Sequence, residues 1–535
     1  MKKICVFLIA IFLIFVCFGC SYEREYDPDN FIADVTNPQI VKEPITLKVM
    51  VPKNSSIHGP YDEMALFTEA TRITNIQFDF IEVETGVMQE KRSLAWEGNA
   101  RDLPDLFLFG NNVAEQVQLA SKNAIWNIDD ILYLAPNYTA LMEQYPEIQT
   151  AATLPDGKMY SFVDINDVTR DLTFKMYINT DLLSKTQFGD RLPETLQEYK
   201  EALKAMSNLF TGADKKNFVP LSSVKLGNTR NFIMSAFGYV GTGIELEHDG
   251  SGKVTYVPLK EEYKAYIQYL NELYREGLLD NGVFEKTDPD LTQLGEAGML
   301  GSFDGAGDFA VVGEDKAENY TSIGPLVSGG YGGIENSEKR WLSFSGFKPT
   351  VSMMPKVSPY RKEIVRLIDF FYSDYGIQLQ SFGIEGKHFT WDDKEKTSFT
   401  FAVPDGMTLE KFRGTITPNA GTGAAFYWKN EFVTKQNDPL LDRLNQQAEA
   451  YKPYFTEAFP ESQVKFTEDE LIEIADLQRA LDDYMATFEI NYIKGIDGAD
   501  INTDWEDHLN TLKMLNVDRL IEIYQAGYDR YLAAK

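Results

Sequence analysis

Few residues of this chain are equipped for covalent chemistry. Its three cysteines are Cys5, Cys17 and Cys20, so the remaining 515 residues hold no disulfide framework, cysteine-ligated zinc or cysteine nucleophile. The four histidines, His58, His248, His388 and His508, are scattered, and no two have the spacing of a helical metal site. No G-x-S-x-G elbow occurs, only FSGF and LSSV, and GSFDGAGD has neither the spacing nor the lysine of a phosphate loop. Asp500, Asn502 and Asp504 imitate the start of a calcium loop, but Trp505 stands where glycine is needed and Thr511 where glutamate is needed. Carboxylates are plentiful. With 81 of them, some pair at glycosidase separation is all but assured by number, so such a pair does not favour catalysis. No metal and no cofactor is expected.

The elements around these residues are easier to read. Ile45, Leu47, Val49 and Val51 in ITLKVMV alternate as a half-buried strand does, and NIQFDFIEV (75–83) and LPDLFLFGNN (103–112) follow after helix-like stretches. Strands spaced by helices predict parallel βαβ units and an α/β fold. In PETLQEYKEALKAMSNLF, Thr195 with Glu198 three residues on forms a capping box, and Leu196, Tyr199, Leu203 and Met206 share one face. Tyr263, Tyr266, Ile267, Leu270 and Tyr274 line a second helix, as packing residues.

Length and charge narrow the class. The chain has 535 residues, enough for two or more domains, and 44% of them are hydrophobic. Its start, MKKICVFLIAIFLIFVCFGC, has the basic end, the apolar run and the small residue of an export signal over residues 1–19, too short for a comfortable transmembrane helix. Without Lys2 and Lys3, 49 of the 51 basic residues face 81 acidic ones, a net of −32, which repels phosphate backbones and excludes nucleic acid as a partner. Residues 20–43 read as a polar tether.

The segment ending at Cys20 resembles the bacterial lipoprotein signal, which implies a diacylglyceryl group on Cys20; ordinary secretion and an uncleaved anchor are the other readings. SPYRKEIVRLIDFFYSDYGIQLQSFGIEGKHFTW (358–391) is an amphipathic helix through Ile364, Leu367, Ile368 and Phe371, a reversal at Gly376 and a glycine-rich turn. It resembles the P-E-x-x-x-R-x-x-D-x-x-Y-S-x-x-G and Y-G-x-E-G segment of the large extracellular solute-binding proteins of carbohydrate ABC importers, the LplA-like group. DLPDLFLFGN, YINTDLLSK with LPETLQEYKEAL, YTSIGPL and the closing helices ending in AGYDRYL resemble further blocks of that family in the same order, over about 490 residues.

The resemblance implies a two-lobed, hinged α/β fold of the periplasmic-binding-protein type, with lobe 1 at 44–165 and 316–372 and lobe 2 at 166–315 and 373–535. It implies a sugar or oligosaccharide in the cleft, an ABC transporter permease as partner, a monomer lipid-anchored outside the plasma membrane, and no enzyme activity. A surface polysaccharide hydrolase or lyase is the alternative. Sugar clefts combine aromatic faces with carboxylates, amides and arginine. On that chemistry the candidates are Trp341 and Trp428 in irregular contexts, Asp105 and Asn111 flanking the carboxyl end of the PDLFLFGN strand, Tyr160 before the first crossover, and Arg230 and Asp304 in second-lobe loops.

Overall fold

The computed structural model describes residues 26–168, 174–335, 338–343, 345–461 and 463–534. The export signal at 1–19 and Cys20 lie outside the described residues. Among the described residues, no helix is long and apolar enough to cross a membrane.

The first sheet is built on β1 (Ile45–Lys53), β2 (Ile76–Glu84) and β3 (Leu106–Leu108). β1 lies parallel to both β2 and β3, and the alternation read in its sequence places Leu47, Val49 and Val51 in the core with no exposure. The chain then leaves this lobe through β4 (Asp164–Asn166) and starts the second sheet with β5 (Lys175–Asn179).

In the second lobe, β6 (Val219–Ser222) is followed by the hairpin β7 (Ile244–Leu246) and β8 (Val254–Tyr256), then β9 (Leu300–Gly305) and β10 (Tyr320–Ile323). The sheet order is β10-β5-β9-β6. Only β6 and β9 are parallel, so this sheet is mixed where consecutive parallel βαβ units are expected. The tyrosine-rich helix Glu261–Arg275 belongs to the core of this lobe, with Tyr263, Tyr266 and Leu270 buried as packing residues.

The return runs through β11 (Trp341–Leu342) and β12 (Phe347–Lys348) to β13 (Ser352–Met353), which completes the first sheet antiparallel to β3. After the hairpin β14 (Phe389–Trp391) and β15 (Phe399–Phe401), β16 (Tyr427–Trp428) leads to the last crossing, and β17 (Phe455–Thr456) pairs with β11. Three helices, Glu468–Lys494, Ile501–Met514 and Val517–Ala534, close the second lobe.

Two expected boundaries move. The return expected at residue 316 falls instead at 341–348, because β10 still pairs with β5 in the second sheet. Residues 373–428, expected in lobe 2, complete lobe 1: Ile377 and Leu379 join the first core, and Phe426 stacks on Phe371 with centroids 4.3 Å apart. The expected tether is also corrected from residue 26 onward. Ile40 and Val41 are 1% exposed, Ile40 N–H donates to the Thr74 carbonyl at 3.0 Å, and Arg366 donates to the carbonyls of Ile32 at 2.6 Å and Asn37 at 2.5 Å. This segment is a strap bound to lobe 1.

Candidate functional site

The crossings fix which edges of the two sheets face one another. β4 pairs with β12 on one side and β16 on the other, a three-stranded hinge sheet. β12 runs within four residues into β13, whose Ser352 lies opposite Leu108 at the carboxyl end of β3. On the far side the chain from β4 enters β5 at Lys175, opposite Gly305 at the carboxyl end of β9. The hinge therefore joins carboxyl edge to carboxyl edge, the place where open α/β sheets leave a crevice.

On the first lip, Phe109 and Gly110 both adopt positive φ near 65°, and the reversal delivers Asn111 to the crevice. A phenylalanine in that region is strained, and its ring is held against Phe426 at 4.8 Å. The Asn111 amide donates to the carbonyls of Phe107 and Thr350, both at 3.1 Å, while its buried Oδ1 has no partner. Asn112 accepts from the N–H groups of Ala114 and Glu115, capping the helix Val113–Ser121. An opening of about 630 Å³ lies between the lobes, with Asn111, Asn112 and Lys348 on the first side, Ser343 at the crossing, and Glu457 and Glu461 on the second. Burial pushes the Glu461 carboxyl above its ordinary pKa. Burial also lifts the hinge carboxyl of Asp164 to about 8, against the opposing pull of its cross-strand neighbour Lys348.

On the second lip, Asp304 accepts from the Asn228 N–H at 2.7 Å and the Thr229 hydroxyl at 3.3 Å, anchoring the start of the helix Thr229–Ser235. Its burial raises its pKa, opposed by those bonds. Arg230 donates to Glu489 Oε2 at 2.8 Å and to the Lys225 carbonyl at 2.7 Å; burial disfavours its charge, and Glu489 more than restores it. Lys175 donates to the Ala306 carbonyl at 3.2 Å, its pKa lowered by burial to about 8 despite Asp308 nearby. Away from the hinge strands the lobes also touch. Lys465 Nζ reaches the Ala151 carbonyl at 2.8 Å, and Leu471 packs against the cluster containing Val117 and Leu154.

Residues 64–381, more than half of the chain, match the family model for the bacterial extracellular solute-binding proteins. The chain belongs to that family. This solute-binding protein is 24% identical to the fructooligosaccharide ABC transporter substrate-binding protein FusA of Streptococcus pneumoniae, over 100% of this chain and 99% of that one. Its fold is similar to that of FusA in complex with kestose, with a TM-score of 0.76 at 21% identity, covering 92% of this chain and 100% of the other. A human-milk-oligosaccharide-binding protein of Bifidobacterium longum infantis also gives 0.76, at 20% identity over 92% and 99% of the two chains. The alginate-binding protein AlgQ2 gives 0.71, at 17% identity over 92% and 99%.

In the solute-binding protein, four of the residues singled out in the sequence reach the carboxyl edges or the hinge: Asn111 and Trp428 on the first side, Arg230 and Asp304 on the second. Arg230 and Asp304 lie in a helix and in β9, not in loops. Trp428, half-buried on β16, carries the Arg413 guanidinium 5.6 Å from its ring centroid. Three others are packed away. Asp105 precedes β3 instead of ending it, and there it accepts from the Lys48 N–H and the Ser358 hydroxyl. Tyr160 is 5% exposed and donates to Asp156 at 2.7 Å. Trp341 is 4% exposed, donates to the Phe174 carbonyl at 3.1 Å and packs on Tyr451 and Phe232, so it belongs to the second core.

Sequence reasoning missed Asn112, Lys348, Glu457 and Glu461. Asn112 carried a signal, a capping residue directly after the Gly110-Asn111 turn. Lys348 sits in the two-residue β12, too short to show a period, and Glu457 and Glu461 lie in the irregular connection after β17.

Proposed function

We propose that the protein captures an oligosaccharide outside the cell, closes its lobes over it and hands it to the permease of an ABC importer, anchored to the membrane through a lipid on Cys20. The observation that carries this reading is the crevice itself. Two polar lips from different lobes meet across a hinge of three crossings, with Asn111, Asn112 and Lys348 on one side, carboxylates at Glu457 and Glu461 on the other, and Trp428 at the hinge. Sugar hydroxyls need donors and acceptors of this kind, and sugar C–H faces need an aromatic ring. The names of the relatives, which bind fructooligosaccharides, milk oligosaccharides and alginate, support a carbohydrate as the solute and place short fructans first among those to try. Asn111, Trp428, Arg230 and Asp304 are the residues we assign to the ligand's surroundings, with the protein acting as a monomer.

The test is a melting-temperature panel on residues 21–535 with kestose, nystose, alginate oligomers and milk oligosaccharides, each mixture then analysed for products. A sugar that raises the melting temperature and stays intact identifies the cargo, since a ligand selective for the folded state stabilises it. Cleaved sugar would make the protein a polysaccharide-degrading enzyme instead.

A further inference from the structure

The strap determines how far the body sits from its anchor. Five residues separate Cys20 from Tyr26, and from Tyr26 onward the chain is bound to lobe 1. Six Cα steps reach at most about 20 Å when fully extended. A lipid on Cys20 therefore cannot hold the body on a long swinging leash. It presents one corner of lobe 1 to the bilayer, the corner where Tyr26 packs edge-on against Tyr360 with ring centroids 5.7 Å apart.

That corner gathers aromatic and basic side chains. Tyr133 is 68% exposed and Val357 is 47% exposed. Trp126 lies between two cations, Lys356 Nζ at 5.2 Å and the Arg361 guanidinium at 4.9 Å from its ring, and Lys362 lies 5.8 Å from the ring of Phe31. Of the acids nearby, Asp130 is bridged to Arg361 and Glu363 is 1% exposed beside Tyr26, while Asp27, Asp29 and Asp129 remain exposed. Tryptophan and tyrosine with flanking lysine and arginine are the side chains that settle at the headgroup level of a membrane, and basic residues there are drawn to anionic lipid.

Resting on the anchor reading above, we propose that this face of lobe 1, formed by Trp126, Tyr133, Lys356, Val357, Arg361 and Lys362, is seated on the headgroups of an anionic bilayer. Lobe 1 is then the fixed half of the hinge, and lobe 2 is the half that swings.

The body has no cysteine beyond Cys20, so single reporters can be introduced as Tyr133→Cys, Lys362→Cys and, on the exposed end of lobe 2, Met514→Cys. Each variant is extracted from membranes with its anchor, labelled with a fluorophore and reconstituted in vesicles of phosphatidylglycerol and phosphatidylcholine carrying a headgroup quencher. Intact mass is measured on the same samples. The expected result is quenching severalfold stronger at positions 133 and 362 than at 514. Equal quenching on a chain whose mass includes the lipid would overturn the seating alone. A mass without the lipid would overturn the anchor reading and the seating with it.

Discussion

Lys465 of the second lobe donates its Nζ to the main-chain carbonyl of Ala151 in the first, at 2.8 Å. Burial lowers the pKa of this ammonium to about 8, so a group that is costly to bury is held where the two lobes touch. Together with Leu471 it forms a lobe contact separate from the hinge strands.

Lys175 and Lys465 both keep their protons less well in the folded state, with pKa values of about 8 against 10.5. Between those values the unfolded chain binds more protons, so stability rises with pH from about 8 toward 10.5. Melting temperatures across that range should show the rise, and Lys465→Met should reduce it to the part that Lys175 contributes.

Asp164 has the opposite sign. Folded, it holds its proton up to about 8; unfolded, it releases it near 3.8, so over that window it lowers stability as pH increases. Asp164→Asn should therefore stabilise the protein at pH 7 by on the order of 2 kcal/mol, with the gain fading toward pH 4. Urea titrations at both pH values check this.

The two tryptophans should separate. Trp341→Ala opens a cavity in the second core and should cost about 3–5 kcal/mol of unfolding free energy. Trp428→Ala should cost about 1 kcal/mol or less, while weakening oligosaccharide binding by about tenfold. Calorimetric titration beside urea unfolding distinguishes them; unchanged affinity in Trp428→Ala would remove that ring from the ligand's surroundings.

Gly376 sits where the helix Asp374–Phe382 turns back on its predecessor, and a Cβ there would overlap the Phe370 carbonyl and lie 2.6 Å from the Phe371 Cα. Gly376→Ala should lose about 1–3 kcal/mol, read from the urea midpoint, because backbone cannot yield as a flexible side chain does.

Periodic elements were legible in the sequence, and connections between them were not. Ile364, Leu367, Ile368 and Phe371 lie on one buried helical face as their spacing requires, and the Thr195 hydroxyl accepts from the Glu198 N–H as the capping pattern predicts. The carboxylate of Glu198 reaches back one residue further than the pattern asks, to the Glu194 N–H. An amphipathic helix announces that it covers a sheet but not which sheet, and for that reason residues 373–428 were assigned to the wrong lobe. The strap was misread because much of its attachment runs through main-chain carbonyls, which leave no mark in a side-chain pattern. Trp341 shows the same limit at the site: its irregular flanks, in fact part of a two-residue strand, concealed a core position.

The interleaving of the lobes also governs how the chain can fold. The first sheet lacks β13 until residue 353 is available, and Arg366 grips Ile32 across 334 positions of sequence. The second lobe waits for its covering helices until the last residues arrive. A chain emerging with its N-terminus first must carry two unfinished cores at once, and contacts so distant in sequence form slowly and leave apolar surface open to aggregation meanwhile. Truncation at the second crossing would then leave both lobes unfinished, whereas truncation after β16 would leave lobe 1 whole and strip lobe 2 of its closing helices.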